Sequence, residues 1–283
     1  MIHMSRKIII GSTILRNPIC VAASPHMASS DLQGVGAIFT KTITMNPRQG
    51  NAGEITRDVG NSLINRVGLS NDGLRVFLRK GIYDLRKNNV PIFVSIHADT
   101  LEEVKEMCAI ISFECGELVA GIELNLSCPN INGQVLDNYI AKLFVKEAID
   151  GADGIPILVK LPPWPDHIVS IARGAVDYGA CAISATNTLK ALDVDRKSWL
   201  SEPFLGGLSG EYLKPVSLRC VYELAQNIKV PIIGVGGIET FDDALDYLQI
   251  GATAVQVGTA EMRNPGIAKR IAEESMTLMW RKP

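Results

Sequence analysis

Short, continuous apolar runs alternate with amphipathic stretches from one end of the chain to the other. Eight such runs stand out: Ile19–Ala23, Ala37–Thr40, Ile92–Ile96, Gly121–Leu126, Ile157–Lys160, Ala182–Thr186, Ile232–Val235 and Ala254–Gly258. None alternates apolar with polar positions, as a strand with one wet face does; strands apolar on both faces belong to parallel sheets covered by helices. Between them, Leu101–Ile111, His167–Tyr178, Val216–Asn227 and Phe241–Gln249 carry apolar residues at helical spacing. Eight β-then-α units predict an α/β fold, a (β/α)8 TIM barrel, over an open doubly wound sheet. An open sheet of the dinucleotide-binding kind wants a glycine-rich turn after its first strand. Here that turn reads Ala22-Ala23-Ser24-Pro25-His26. Upstream, Lys7–Ile14 alternates enough to predict a short N-terminal β-hairpin closing the barrel bottom. No repeat, linker or low-complexity tract divides the chain, so one domain over residues 1–283 is expected.

The bulk properties narrow the function classes. Barrels of this kind run to about 250 residues, which suits 283. A formal charge of −2 without any basic run argues against nucleic acid or an anionic membrane as partner. The apolar run Ile8–Ile10 is too short for a signal peptide or a span, so the cytoplasm is expected. Cysteines at 20, 108, 115, 128, 181 and 220 form no C-x-x-C pair and no zinc or iron–sulfur spacing. They read as reduced thiols, and no metal site is expected.

In a barrel the chemistry sits at the C-terminal ends of the strands. Those ends carry Thr40-Lys41-Thr42, Ser95, Asn125 to Asn130, Lys160-Leu161-Pro162-Pro163, Thr186-Asn187-Thr188, Gly236-Gly237 and Gly258-Thr259. A lysine closing one strand is ordinarily just solvated; polar residues converging from seven strands are not ordinary. Gly236-Gly237 and Gly258-Thr259 each precede a helix, where glycine lets backbone N–H groups approach a phosphate. Two long connections, Val59–Asp72 and Leu189–Lys214, read as binding loops or lids. A lone cysteine is usually a small buried hydrophobe, and Cys20, Cys108, Cys115, Cys181 and Cys220 fit that class. Cys128 differs: it follows a strand end, between Ser127 and Pro129, within reach of cations such as Lys41 and Lys160 that lower a thiol pKa. His3, His26, His97 and His167 are scattered, so no Cys–His pair forms, and a general base is the better reading of Cys128.

Taken together, these segments resemble the soluble, class one dihydroorotate dehydrogenases, from about Asn17 to Ala260. The resemblance rests on Lys41-Thr42-Ile43-Thr44 with Pro47-Arg48, Asn65-Arg66-Val67-Gly68-Leu69 and Asn125-Leu126-Ser127-Cys128-Pro129-Asn130. It continues through Lys160-Leu161-Pro162-Pro163, Asn187-Thr188, Gly206-Gly207-Leu208-Ser209-Gly210 and Gly234-Val235-Gly236-Gly237-Ile238. The N-L-S-C-P-N stretch followed by K-L-P-P is highly specific; a lone G-G-I is weak.

The resemblance implies an FMN oxidoreductase that converts (S)-dihydroorotate to orotate in de novo pyrimidine (UMP) biosynthesis. FMN would be held by Ala23, Ser24, Lys41, Thr42, Ser95, Asn125, Lys160, Thr186 and Gly210, with its phosphate on Gly236, Gly237, Gly258 and Thr259. Dihydroorotate would be held by Lys41, Asn65, Arg66, Val67, Gly68, Leu69, Asn125, Asn130, Asn187 and Thr188. Cys128, as thiolate, would remove the proton at carbon five while hydride leaves carbon six. Lys160 would offset charge on the reduced flavin, Lys41 would lie between flavin and substrate carboxylate, and the loop with Gly133 would close the site. Arg66 and His97 stand where the family has small residues, and the Ser24–Lys41 region is short. Ser95 resembles the fumarate-using homodimers, whereas Gly207-Leu208-Ser209-Gly210 and the Lys-Pro helix after it resemble the NAD-linked form, which works with a separate flavin and iron–sulfur subunit. Both partnerships stay open, as do two rival readings: a dihydropyrimidine dehydrogenase-like reductase of uracil or thymine, and a tRNA-dihydrouridine synthase-like flavoenzyme. The second rival calls for a basic face and an added helical domain.

Overall fold

A computed structural model describes residues 7–24, 31–126, 137–194 and 202–279. A hairpin opens it: β1 (Ile8–Ile10) pairs antiparallel with β2 (Thr13–Leu15). The barrel follows, from β3 (Ile19–Val21) and β4 (Ala37–Phe39). Then β5 (Thr56–Asp58) and β6 (Ser62–Asn65) leave the barrel. A helix with a π turn at Phe77–Gly81 joins α1 (Leu74–Val76) to α2 (Ile82–Arg86) and leads to β7 (Ile92–Ile96). From there strand and helix alternate: α3 (Leu101–Cys115), β8 (Gly121–Asn125), α4 (Asn138–Ala152), β9 (Ile157–Leu161), α5 (Pro165–Asp177) and β10 (Ala182–Ala185). After the excursion of β11 (Leu189–Asp193) and β12 (Phe204–Gly210) come α6 (Lys214–Asn227), β13 (Ile232–Val235), α7 (Phe241–Gln249) and β14 (Ala254–Val257). The short α8 (Thr259–Arg263) and α9 (Ile267–Met279) end the described chain.

Eight strands, β3-β4-β7-β8-β9-β10-β13-β14, close into a barrel with every neighbouring pair parallel. These are the eight apolar runs of the sequence, each within two residues of its expected end. Helix starts are set by local chemistry. Thr100 and Asp137 cap α3 and α4 by accepting the N–H groups of Glu103 and Ile140, and Thr240 and Asp243 form a reciprocal capping box on α7.

The barrel interior is filled in layers. At the bottom Ile10 and Leu15 of the hairpin pack on Cys20, Ala37, Phe39, Phe93, Leu158, Ala182, Ile233 and Ala254, with the Phe39 and Phe93 rings stacked 4.7 Å apart. The expected closure of the barrel floor is thus present, and it is apolar. Toward the other end the interior turns polar: Ser95, Glu123, Lys160, Ser184 and Gln256 are all buried.

The connections expected as loops are different. Val59–Asp72 and Leu189–Lys214 contribute strands to a four-stranded sheet, in the order β11-β12-β6-β5, standing over the C-terminal rim. The reason is visible in β12, whose Gly206, Gly207 and Gly210 carry no strand signal. A Cβ on Gly206 would sit 2.4 Å from the Asn65 carbonyl oxygen, so glycine is what lets β12 and β6 approach.

Candidate active site

A cleft of about 1180 Å³, open mouth included, occupies the strand C-termini beneath that sheet. It is lined by Ala23, Ser24, Lys41, Thr42, Asn65, Val67, Leu69, Asn125, Lys160, Thr186, Asn187, Thr188, Gly210, Gly236, Gly237, Gly258 and Thr259, all singled out from the sequence. Cys128 and Asn130 lie outside the described residues. Leu63, Ser209, Leu213, Glu239 and Met262 also line it and were not expected. The first three are brought by the accessory sheet and the turn after it, so their signal was hidden in a misread loop.

One wall is a polar lattice. Asn125, from the end of β8, donates through Nδ2 to Thr42 Oγ1 (3.1 Å) and accepts at Oδ1 from Asn187 Nδ2 (3.0 Å). Thr42 in turn shares a 3.0 Å hydroxyl contact with Ser95. Ser95 is fully buried and braces Thr42 from behind instead of lining the cleft. Asn65 Nδ2 donates to the Gly207 carbonyl (3.1 Å), fixing the accessory sheet over the mouth. Each amide is committed by a named partner, so the cleft presents fixed donors and acceptors with little reorganisation on binding.

Two lysines reach in. Lys160, buried near the end of β9, donates from Nζ to Gln256 Oε1 at 3.5 Å. Lys41 is half-buried; burial pushes its ammonium below the ordinary lysine value, with Asp72 opposing the shift. At the far end lie the glycine turns. Gly236 and Gly237 have φ of 134° and 63°, and a Cβ on Gly237 would stand 2.8 Å from the Gly210 carbonyl oxygen. The Tyr247 hydroxyl donates to the Gly236 carbonyl (2.7 Å) and holds this turn.

The remaining expected site residues sit beside the cleft. Gly68 (φ 72°) makes the turn that puts Val67 and Leu69 on the wall. Arg66 turns away: its Nε donates to the Glu54 carbonyl (2.8 Å), and its guanidinium stacks 4.4 Å from the Phe204 ring centre. Arg57 covers the same ring at 4.5 Å. His97 Nδ1 lies 2.9 Å from the Asn125 carbonyl oxygen, so that nitrogen carries the hydrogen, while Nε2 faces Asp99 at 3.3 Å. Asp99 also pairs with Arg48.

No described cysteine lines the cleft. Burial pushes the thiols of Cys20, Cys108 and Cys220 up to about 12 and that of Cys181 to about 11; Cys115 is raised for the same reason. All five are neutral thiols at physiological pH and unsuited to base chemistry.

Residues 7–279 match the family model described as dihydroorotate dehydrogenase. The chain belongs to the dihydroorotate dehydrogenase family. Among curated relatives, it is 37% identical over 276 residues to the "Dihydroorotate dehydrogenase B (NAD(+)), catalytic subunit" of Geotalea uraniireducens, covering 94% of this chain and 90% of that one. The protein of the same name from Geobacter metallireducens is 38% identical over 273 residues, covering 92% and 88%. The dihydroorotate dehydrogenase of Eimeria tenella, solved with ferulenol, superposes with a TM-score of 0.78 over 95% of this chain and 83% of that one. At 24% identity that likeness speaks for the shared barrel alone. Among the described residues no helix is long and apolar enough to cross a membrane.

Proposed function

We propose that this chain, read as one catalytic domain, is the FMN-bearing dihydroorotate dehydrogenase component of pyrimidine synthesis, acting in the cytoplasm. The observation that carries the reading is one cleft in which two lysines and an asparagine lattice meet a pair of glycine turns. These residues fit FMN. Gly236 and Gly237 adopt positive-φ conformations that side chains rarely take, which suits backbone N–H groups approaching a phosphate, and Gly258-Thr259, at ordinary negative φ, opens a further helix on the same cleft. Lys160 is suited to offset negative charge on the pyrimidine edge of the ring system. When bound, FMN supplies the acceptor for hydride.

The chain's own groups do the rest. Asn65, Asn125, Asn187 and Thr188, with Asn130, pair the flat amide and carboxylate edges of dihydroorotate, and Lys41 supplies charge for the carboxylate. Lys41 is well suited to that task, because its partial burial strengthens an ion pair with an incoming anion. Cys128, as thiolate, takes the proton from carbon five. The buried thiols elsewhere do not compete for this role, since their burial keeps them protonated.

The curated relatives are named as catalytic subunits of an NAD(+) type. The cysteines of this chain have no cluster spacing. We therefore infer that it passes electrons to a separate flavin and iron–sulfur subunit, and that two copies form the core of the assembly. Substrate class is tested by titrating the purified flavoprotein with orotate and with uracil while following the flavin spectrum. Orotate is expected to perturb the spectrum saturably, and a Lys41→Ala variant is expected to weaken orotate binding while leaving uracil unaffected. Tighter binding of uracil than of orotate would overturn the assignment.

A further inference from the structure

Beneath the cleft, the barrel interior holds a carboxylate that the mechanism above does not use. Glu123, on β8, is fully buried. Its Oε2 accepts a 2.6 Å bond from the Ser184 hydroxyl and a 3.1 Å bond from Gln256 Nε2. Gln256 Nε2 also lies 3.3 Å from Ser184 Oγ. The opposite end of the same Gln256 amide, Oε1, accepts from Lys160 Nζ. Glu123 Oε1 has no hydrogen-bond partner among the described residues.

This arrangement has a direction. An ionised carboxylate only accepts, so it draws the NH2 of Gln256 toward itself and turns the carbonyl toward Lys160. The lysine is thereby held by an acceptor whose orientation is set two side chains away. A buried carboxylate with an unused oxygen is expensive, and packing gives no reason for it, since the layer below is filled by Leu158, Ala182, Ile233 and Ala254. We propose that Glu123 is a positioning residue: through Gln256 it engages an N–H of Lys160 and tempers the positive charge that the lysine presents to the flavin edge, so setting how readily the flavin is reduced. The proposal rests on the reading of Lys160 as a flavin neighbour.

The sign follows from charge. Reduction places negative charge on the flavin edge, which Lys160 favours; Glu123, drawing on the lysine through Gln256, lessens that help. In Glu123→Gln the carboxylate charge is lost and the amide at 256 is free to turn, since a glutamine offers both donors and acceptor. The flavin reduction equilibrium is expected to shift toward the reduced form by about tenfold, a rise of about 30 mV for a two-electron couple. In a Lys160→Met background, at saturating FMN, the same substitution is expected to produce much less, because its route runs through the lysine. Gln256→Met cuts the link from the other side and is expected to raise the potential as well, so the test survives if Glu123→Gln does not fold.

A packing role alone moves stability and not the potential. An unchanged or lowered potential in the folded, FMN-loaded variants overturns the proposal while leaving the proposed function standing. A shift just as large in the Lys160→Met background overturns the route through Lys160. A parent protein that takes up no FMN removes both this proposal and the function it rests on.

Discussion

Gly237→Ala puts the phosphate cradle to a quantitative test. At φ 63° an alanine costs about 1–2 kcal/mol in backbone strain. The new methyl would also stand 2.8 Å from the Gly210 carbonyl oxygen and 2.7 Å from Lys214 Cβ. Neither is the free end of a side chain, so the turn itself must move, at a further cost of about 1–3 kcal/mol. If about half of that total is expressed as displacement of the N–H groups facing the phosphate, FMN affinity falls by about 5–60-fold. Gly154→Ala is the matched control. Its φ of 87° carries the same kind of strain, but nothing lies within 4 Å of the new methyl, and it sits at the opposite, N-terminal end of the barrel. Both variants are expected to lose a few degrees of Tm, roughly 2–4 °C per kcal/mol for a domain approaching this size. Only Gly237→Ala is expected to weaken FMN, read by quenching of flavin fluorescence as apoprotein is added. Equal FMN affinity in the two variants would refute the placement of the phosphate at this turn.

Three further outcomes follow from the described contacts. With five cysteines held as neutral thiols at high pKa, sub-stoichiometric iodoacetamide at neutral pH is expected to label Cys128 first; a peptide map dominated by Cys181 or Cys115 contradicts this. Burial works against the ionised form of Asp243, but Lys214 and the N–H groups of Glu239 and Thr240 outweigh it and hold its pKa below the usual value. Its contribution is therefore complete above the unfolded carboxylate range near pH 4 and is lost as pH falls through the lower folded value. Asp243→Asn is expected to cost about 1–2 kcal/mol at pH 7 in urea unfolding, with the gap to the parent closing in strong acid. Because Arg66 packs on Phe204 outside the cleft, Arg66→Ala is expected to cost about 1 kcal/mol of stability and to leave orotate affinity unchanged; a large loss of affinity would return Arg66 to the substrate site.

The barrel was legible because its signal is one-dimensional. Runs such as Ile92–Ile96 and Ile232–Val235 are apolar on both faces, and the strand ends carry their polar residues immediately afterwards. The accessory sheet was not legible. β11 and β12 contain Lys190, Gly206, Gly207 and Gly210, and β12 joins them to β6 across more than a hundred residues of sequence, so neither propensity nor periodicity reports them. That omission concealed Leu63, Ser209 and Leu213 as walls of the cleft. Arg66 and His97 could not be placed from sequence for a related reason. One is taken up by an aromatic ring 138 positions away (66 to 204), the other by a backbone carbonyl 28 positions away, and such partners exist only once the chain is folded. The polar layer of Glu123, Ser184 and Gln256 was hidden inside runs that read as apolar strands.

The central claim is that dihydroorotate gives up hydride to a flavin held in this cleft while Cys128 takes the proton. It is tested most directly by mixing the oxidised, FMN-loaded protein with dihydroorotate under anaerobic conditions and following the flavin colour in a stopped-flow instrument. The parent is expected to bleach completely within a single turnover. Cys128→Ser, with FMN still bound, is expected to bleach several orders of magnitude more slowly at neutral pH and to recover only at high pH, since a hydroxyl is a far poorer base than a thiolate. A parent protein that stays yellow in excess dihydroorotate, or a serine variant that bleaches at the parent rate, would contradict the account.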